Sequence, residues 1–394
     1  MTLLLSDNII SALGFTAEEN YRSVRQGVCG LKLFADRYDL PEPFMASEID
    51  DIQLNIVFEK VLVEYSAVGS GFSGMVSDVN YTKLEKAAIV SAAEALKNTN
   101  IDPSGEDVLF ILSTTKGNVF LLDENVQEEY EQDQLYLWRS AELISRFFGN
   151  PNQPEVLSNA CISGASAIIA AQHNLRLGKY KYVVVIGVDM LSKFIVTGFQ
   201  SFKALSQEAC KPFDVNRAGL NIGEAVATLV LTERAEEELH SDDVVFTAGA
   251  TRNDANHISG PSRTGEGSYL ALRKVMEGID VSEIAFVNAH GTATLYNDEM
   301  ESIALTRAGL QDVPVNSLKG YFGHTLGAAG VLESIISTRA LKDDTILKTY
   351  GFDTLGVTNP LDIVKEVRTT NRRRCLKMLS GFGGCNIAAL FTKY

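Results

Sequence analysis

Leu157-Ser-Asn-Ala-Cys-Ile-Ser-Gly164 runs directly into Ser163-Gly-Ala-Ser-Ala-Ile-Ile-Ala-Ala-Gln-His-Asn-Leu-Arg-Leu177. A short extended run ends at a cysteine, and an Ala-rich helix with small residues at its start follows at once. Tyr182-Val-Val-Val-Ile186, a little further on, is the apolar β-branched run of a buried strand. Extended run, helix and buried strand in that order are the signature of an α/β fold.

The same alternation extends over the chain of 394 residues. Strands are expected at Val108–Leu112, Ala227–Leu231, Val244–Ala248, Ile284–Val287 and Ile387–Phe391. Thr82-Lys-Leu-Glu85 reads as a capping box opening a helix through Leu96. The acidic, Gln-rich stretch 122–136 reads as a surface excursion. The charged segment Glu233–Asp243, lying between two strands, marks a boundary between halves, and the length exceeds one ordinary core. Gly69-Ser-Gly71-Phe-Ser-Gly74 matches a dinucleotide pattern, but a polar stretch follows, and Glu94, where the acidic partner is required, falls inside a helix. It reads as a loop.

Composition excludes several classes. A formal charge of −15 opposes nucleic-acid binding, and Asn371-Arg-Arg-Arg374 is a solvated flank rather than a basic stripe. No stretch reaches the length of a membrane span. The first residues lack the basic region of a signal peptide. Five scattered cysteines, with no C-x-x-C pair, fit neither a disulfide framework nor a zinc site, so no metal is expected and a reducing cytoplasm is.

Four elements can carry chemistry. Cys161 precedes a helix, whose positive end can lower a thiol pKa and expose the thiolate as nucleophile; Cys29, Cys210 and Cys375 read as small buried hydrophobes. Phe286-Val-Asn-Ala-His290-Gly-Thr-Ala-Thr294 places His290 where a strand runs out into a loop. Asn316-Ser-Leu-Lys319-Gly-Tyr-Phe-Gly-His324-Thr-Leu-Gly-Ala-Ala-Gly330 presents His324 on a Gly-rich turn, and its small residues permit close helix packing. Ser380-Gly-Phe-Gly-Gly-Cys-Asn386 lets backbone approach a ligand.

Cysteine, histidine, Lys–His and Gly-Phe-Gly-Gly in that order resemble a β-ketoacyl synthase of the elongating type, from the thiolase superfamily, over nearly the whole chain. The resemblance implies a thiolase fold: two similar halves, 1–235 with the nucleophile and 236–394 with both histidines, forming a five-layered α-β-α-β-α sandwich. It implies decarboxylative Claisen condensation in type II fatty-acid or specialised polyketide or polyene synthesis. Cys161 would take an acyl group from acyl carrier protein, and His290 and His324 would donate to the malonyl thioester carbonyl. Lys319 would be catalytic with these three, orienting the histidine site electrostatically, and Glu333 would support it by pairing within that network. The amides of Cys161 and Phe382 would form the oxyanion hole, with the Phe382 ring as a gate. Thr292, Thr294 and Ser259 would bind the phosphopantetheine arm, Asp298 and Glu301 would form a structural acidic pair, and Lys203 would dock the carrier. No cofactor is implied beyond the carrier-borne phosphopantetheine. A homodimer, or a heterodimer with a related subunit, is expected.

Departures from the family pattern are Leu295 in place of proline, Arg217-Ala-Gly-Leu without the usual acid and aromatic, and Ala225 for a common glycine. They bear on the shape of the acyl pocket. Two alternatives stand beside this reading: a thiolase-type acyltransferase, loosely supported by Gly-Gly-Cys385-Asn386, and a non-catalytic partner of the chain-length-factor kind.

Overall fold

The apolar runs become the centre of a ten-stranded sheet in the computed structural model, which describes residues 1–40, 42–68, 79–123, 129–256 and 260–394. The Gly69–Gly74 motif lies outside the described residues. Strands β1 (Thr2–Ser11), β2 (Lys32–Phe34), β3 (Phe44–Ser47), β4 (Val108–Ser113), β5 (Glu155–Leu157), β6 (Tyr182–Asp189), β7 (Ile222–Gly223) and β8 (Ala225–Glu233) come first. Then follow β9 (Val244–Asn253), β10 (Ile284–Asn288), β11 (Val315–Asn316), β12 (Thr345–Ile346), β13 (Arg368–Thr369), β14 (Arg374–Gly381) and β15 (Cys385–Lys393). The helices are α1 (Ala17–Arg25), α2 (Asp51–Val68), α3 (Lys83–Lys97), α4 (Leu137–Phe147), α5 (Ser163–Arg176) and α6 (Lys193–Ser201). After these come α7 (Glu266–Val275), α8 (Leu295–Arg307), α9 (Lys319–Phe322) and α10 (Ala329–Lys342).

Sheet order reveals a duplication. One side runs β1-β8-β6-β4-β5 and the other β9-β15-β14-β10-β11, each with two antiparallel pairings followed by two parallel ones. The two units join where β1 pairs with β9 through Thr2–Phe246 and Leu3–Val245. The acidic segment expected at a boundary is the link from β8 to β9.

Burial alternates along the strands. Leu109, Ile111, Val183 and Val185 face a core shared with α5 and α10, whereas Phe110, Leu112, Val184 and Ile186 face the layer of α3 and α4. In the second unit Cys375 and Phe391 join that same shared core, while Leu376, Met378 and Leu390 face α7 and α8. Helices α5 and α10 are thus a middle layer between two sheet units, with outer helices beyond each, which is the five-layered thiolase architecture. Full burial of such side chains stabilises by about 1.5–3 kcal/mol each.

Local signals behave as their chemistry requires. Thr82 and Glu85 close the capping box at the start of α3. The 122–136 stretch holds two short 3-10 turns at its ends, with residues 124–128 outside the described residues. Among the described residues no helix is long and apolar enough to cross a membrane.

Candidate active site

Cys161 sits on an elbow between β5 and α5. Ala160 holds the left-handed region (φ 45°), a strained conformation for a residue with a β-carbon. Ser163 secures the turn: its hydroxyl donates to the Ala160 carbonyl at 2.6 Å and accepts from the Asn159 amide at 2.8 Å. The thiol is buried. Burial pushes its pKa up to about 12, the neighbouring Cys385 thiol adds to the rise, and Lys319 pulls the other way. The expectation of a thiol acidified by the helix end is therefore corrected: Cys161 precedes the first residue of α5 and desolvation dominates, so the resting nucleophile is a thiol.

His290 follows β10, and two buried carboxylates hold its loop. Glu301 accepts from the amides of His290 and Gly291, each at 2.7 Å, and Asp298 accepts from Thr292 at 3.1 Å and Phe213 at 2.7 Å. Burial raises Asp298 to about 6 and Glu301 to about 7, Asp298 adding to the latter. Thr292 and Thr294 share a hydroxyl contact of 2.9 Å on the same loop.

The second histidine is pinned through its backbone to the first unit: His324 N donates to Asn221 O at 2.6 Å, and Gly223 N donates to His324 O at 3.0 Å. Gly323, at φ 73°, makes the turn that lets α9 end there. The Leu326 amide donates to Nδ1 of His324 at 3.3 Å, which leaves the ring proton on Nε2. That Nε2 is buried without a partner among the described residues, as is Nδ1 of His290.

These segments converge. One donor atom each from Cys161, His290 and His324 lie within 4.8 Å of one another, and the imidazole centroids are 5.0 Å apart and nearly perpendicular. Burial, Lys319 and Lys377 hold both histidines well below the ordinary range, His324 adding to the effect on His290. Two neutral donors thus face a thiol. The same three atoms could take a thiophilic metal ion only after the thiol lost its proton.

A cavity of about 480 Å³ reaches the three side chains from the surface. Thr292, Thr294 and Lys203 line it, and Phe382 stands at its mouth, 40% exposed, against Phe199 (5.8 Å) and Phe202 (5.4 Å). Gly381 permits a close approach: a β-carbon there would lie 3.1 Å from the Cys161 amide nitrogen. Leu295 and Tyr296 form an exposed lip, and the side chain of Arg217 is tied to the Asp214 and Gly356 carbonyls. Cys385 points its thiol toward the Phe382 carbonyl at 3.5 Å. Ser259 lies outside the described residues.

Lys319 and Glu333 form a fully buried ion pair behind the histidines. Sequence reasoning missed its third member. Lys377, wholly buried on β14, pairs with the other oxygen of Glu333 at 2.6 Å. The two ammoniums outweigh the effect of burial and keep Glu333 below its usual pKa. A lysine inside the apolar run Cys375-Leu-Lys-Met-Leu379 was the signal available, because a charge there requires a partner.

Comparisons with known proteins give the family. Residues 8–237 match the family model described as Beta-ketoacyl synthase, N-terminal domain, and 244–353 match Beta-ketoacyl synthase, C-terminal domain. The ketoacyl synthase alpha subunit of the tetracenomycin polyketide synthase of Streptomyces glaucescens is 28% identical over 84% of this chain and 85% of that one. 3-Oxoacyl-[acyl-carrier-protein] synthase 2 of Vibrio cholerae is 32% identical over 64% of each chain. The ketosynthase ApeO of Xenorhabdus doucetiae, solved in complex with its chain length factor ApeC, superposes with a TM-score of 0.85 at 24% identity, covering 100% of this chain and 98% of that one.

Proposed function

The chain belongs to the β-ketoacyl synthase family, and from that premise we propose that it condenses an acyl group held on Cys161 with malonyl-[acyl carrier protein]. In the first half-reaction the Cys161 sulfur attacks an acyl-carrier thioester, the carrier thiol leaves, and the acyl group stays on the enzyme. The amides of Cys161 and Phe382 receive the oxyanion of that step. In the second, His290 and His324 donate to the thioester carbonyl of the malonyl group, so that charge released by loss of carbon dioxide rests on a hydrogen-bonded enolate. The enolate carbon then attacks the acyl thioester, the Cys161 thiolate departs and regains a proton, and the 3-oxoacyl chain leaves on its carrier.

One observation carries this reading: a thiol and two neutral imidazoles, from three distant segments, share one buried point at the end of a cavity. Thr292 and Thr294 are suited to the phosphopantetheine arm, and Phe382, packed between Phe199 and Phe202, to gating it. No cofactor of the enzyme's own enters these steps. An acidic carrier meets a chain of charge −15, so docking requires local basic groups such as Lys203 at the mouth. Among the described residues β5 is an edge strand of the large sheet, which supports a dimer. The chain-length-factor complex of ApeO supports a related subunit as partner. A cytoplasmic location accords with five free cysteines.

The test is to offer the purified protein acyl and malonyl carriers, following the Cys161 adduct by mass spectrometry and carbon dioxide release in parallel. The adduct, carbon dioxide and a 3-oxoacyl carrier are expected. Undiminished condensation by Cys161→Ala would sink the reading.

A further inference from the structure

Lys377 interrupts the inner face of β14 between Cys375 and Leu379, and its side chain has no exposure. Its ammonium lies 2.6 Å from Oε2 of Glu333 and donates to the carbonyls of Met378 (2.8 Å), Ala289 (3.2 Å) and Asn288 (3.4 Å). Four oxygens therefore surround a nitrogen that carries three protons. Such a shell serves a point charge as well as it serves a hydrogen-bond donor.

The oxygens come from three segments that meet at the reacting centre. Asn288 and Ala289 lead into His290, Met378 leads into the Gly381-Phe382 turn, and Glu333 belongs to the helix that follows His324. Lys319 occupies the other oxygen of Glu333, so two ammoniums share one carboxylate beside two imidazoles. Without the second ammonium, three carbonyls and one carboxylate oxygen would face one another with no cation between them.

We propose that Lys377 is a positioning residue, a cation tethered to the chain, filling an oxygen cage that would otherwise suit a free monovalent cation and locking the His290 loop to α10 and β14. The proposal rests on the condensation reading above. Its distinctive consequence is chemical: with the side chain gone, the cage opens to a small ion. Potassium and ammonium are close in size to the missing group, and tetramethylammonium is too large.

The experiment compares wild type with Lys377→Ala in buffers whose sole cation is tetramethylammonium, then adds potassium or ammonium chloride. Condensation by the variant is expected to fall about 10- to 100-fold while acylation of Cys161 persists, as for the loss of a supporting partner behind a functional group. Small cations should restore condensation and raise the melting temperature of the variant, leaving wild type indifferent. A variant that no small cation rescues in either readout, or a wild type with the same cation dependence, overturns the proposal. If Lys377→Ala does not fold in either buffer, Lys377→Met, which keeps the volume without the charge, decides. Lost condensation with retained acylation and no cation response is expected of it, and wild-type condensation by it overturns the proposal. Failure of the condensation reading is separately visible as wild type that releases no carbon dioxide, while the cation-dependent melting still reports on the cage.

Discussion

Gly164 of α5 and Gly330 of α10 meet backbone to backbone: a β-carbon on Gly164 would stand 3.0 Å from the Gly330 α-carbon and 2.8 Å from the Val331 nitrogen. This crossing sets the two middle-layer helices at the distance that brings Cys161, just before one, to His324, just before the other.

Gly330→Ala should therefore damage both packing and chemistry. Its β-carbon would lie 2.7 Å from the Gly164 carbonyl carbon, and backbone cannot step aside as a flexible side chain can. Denaturant unfolding is expected to show a loss of about 1–3 kcal/mol, with slower condensation. Gly198→Ala, on α6 with open space around it, is the control and should be neutral or slightly stabilising.

His324→Ala separates the half-reactions. Acylation of Cys161 should survive, because that oxyanion is received by backbone amides. Decarboxylation of malonyl carrier should fall by roughly 10²–10³ for the lost donor. Equal loss in both half-reactions would contradict the assignment of His324 Nε2 to the malonyl carbonyl.

Histidine titration should contribute nothing to the pH profile of condensation. Both imidazoles are held well below 6.5 by burial and by the ammoniums of Lys319 and Lys377, so they stay neutral donors across roughly pH 6–7. On the alkaline side burial lowers Lys377 to about 8, with Glu333 and Glu301 opposing the shift and Lys319 adding to it. It is charged below that pH and neutral above it, so activity should decline as pH rises through about 8. An acid limb between about 6 and 7 belongs to protonation of Asp298 and Glu301, which frees the His290 loop, whereas imidazole NMR signals titrating near 6.5 would contradict the neutral histidines.

Glu301→Gln tests the acidic pair. One amide oxygen cannot replace two carboxylate oxygens for the His290 and Gly291 amides, and the new NH2 group would face an amide donor. Leaving one buried donor unmet should cost about 1–3 kcal/mol, read by chemical denaturation, with faster hydrogen exchange at residues 290–292.

Much of this was legible because buried strands announce themselves. Val108–Leu112, Tyr182–Ile186 and Ile387–Phe391 are unbroken apolar runs, and each became a central strand. Strand β1 was not read as one: Ser6-Asp7-Asn8 interrupts its apolar pattern at a point where the pairing register shifts. Strand β14 was hidden in the same way by Lys377, a charge whose partners lie on β10 and α10. Gly-Gly-Cys385-Asn386 loosely matches the second cysteine of a thiolase, and the structure sets that thiol beside Cys161, 3.5 Å from the Phe382 carbonyl.

The alternation of apolar runs with helical stretches determined the α/β class, and the order of cysteine, histidine, Lys–His and Gly-Phe-Gly-Gly the family, since such signals are local and survive in one dimension. The protonation state of Cys161, the tautomer of His324 and the partner of Lys377 were decided only in three dimensions. Each depends on desolvation and on contacts between chain segments far apart in sequence, and those are properties of distance that residue order does not contain.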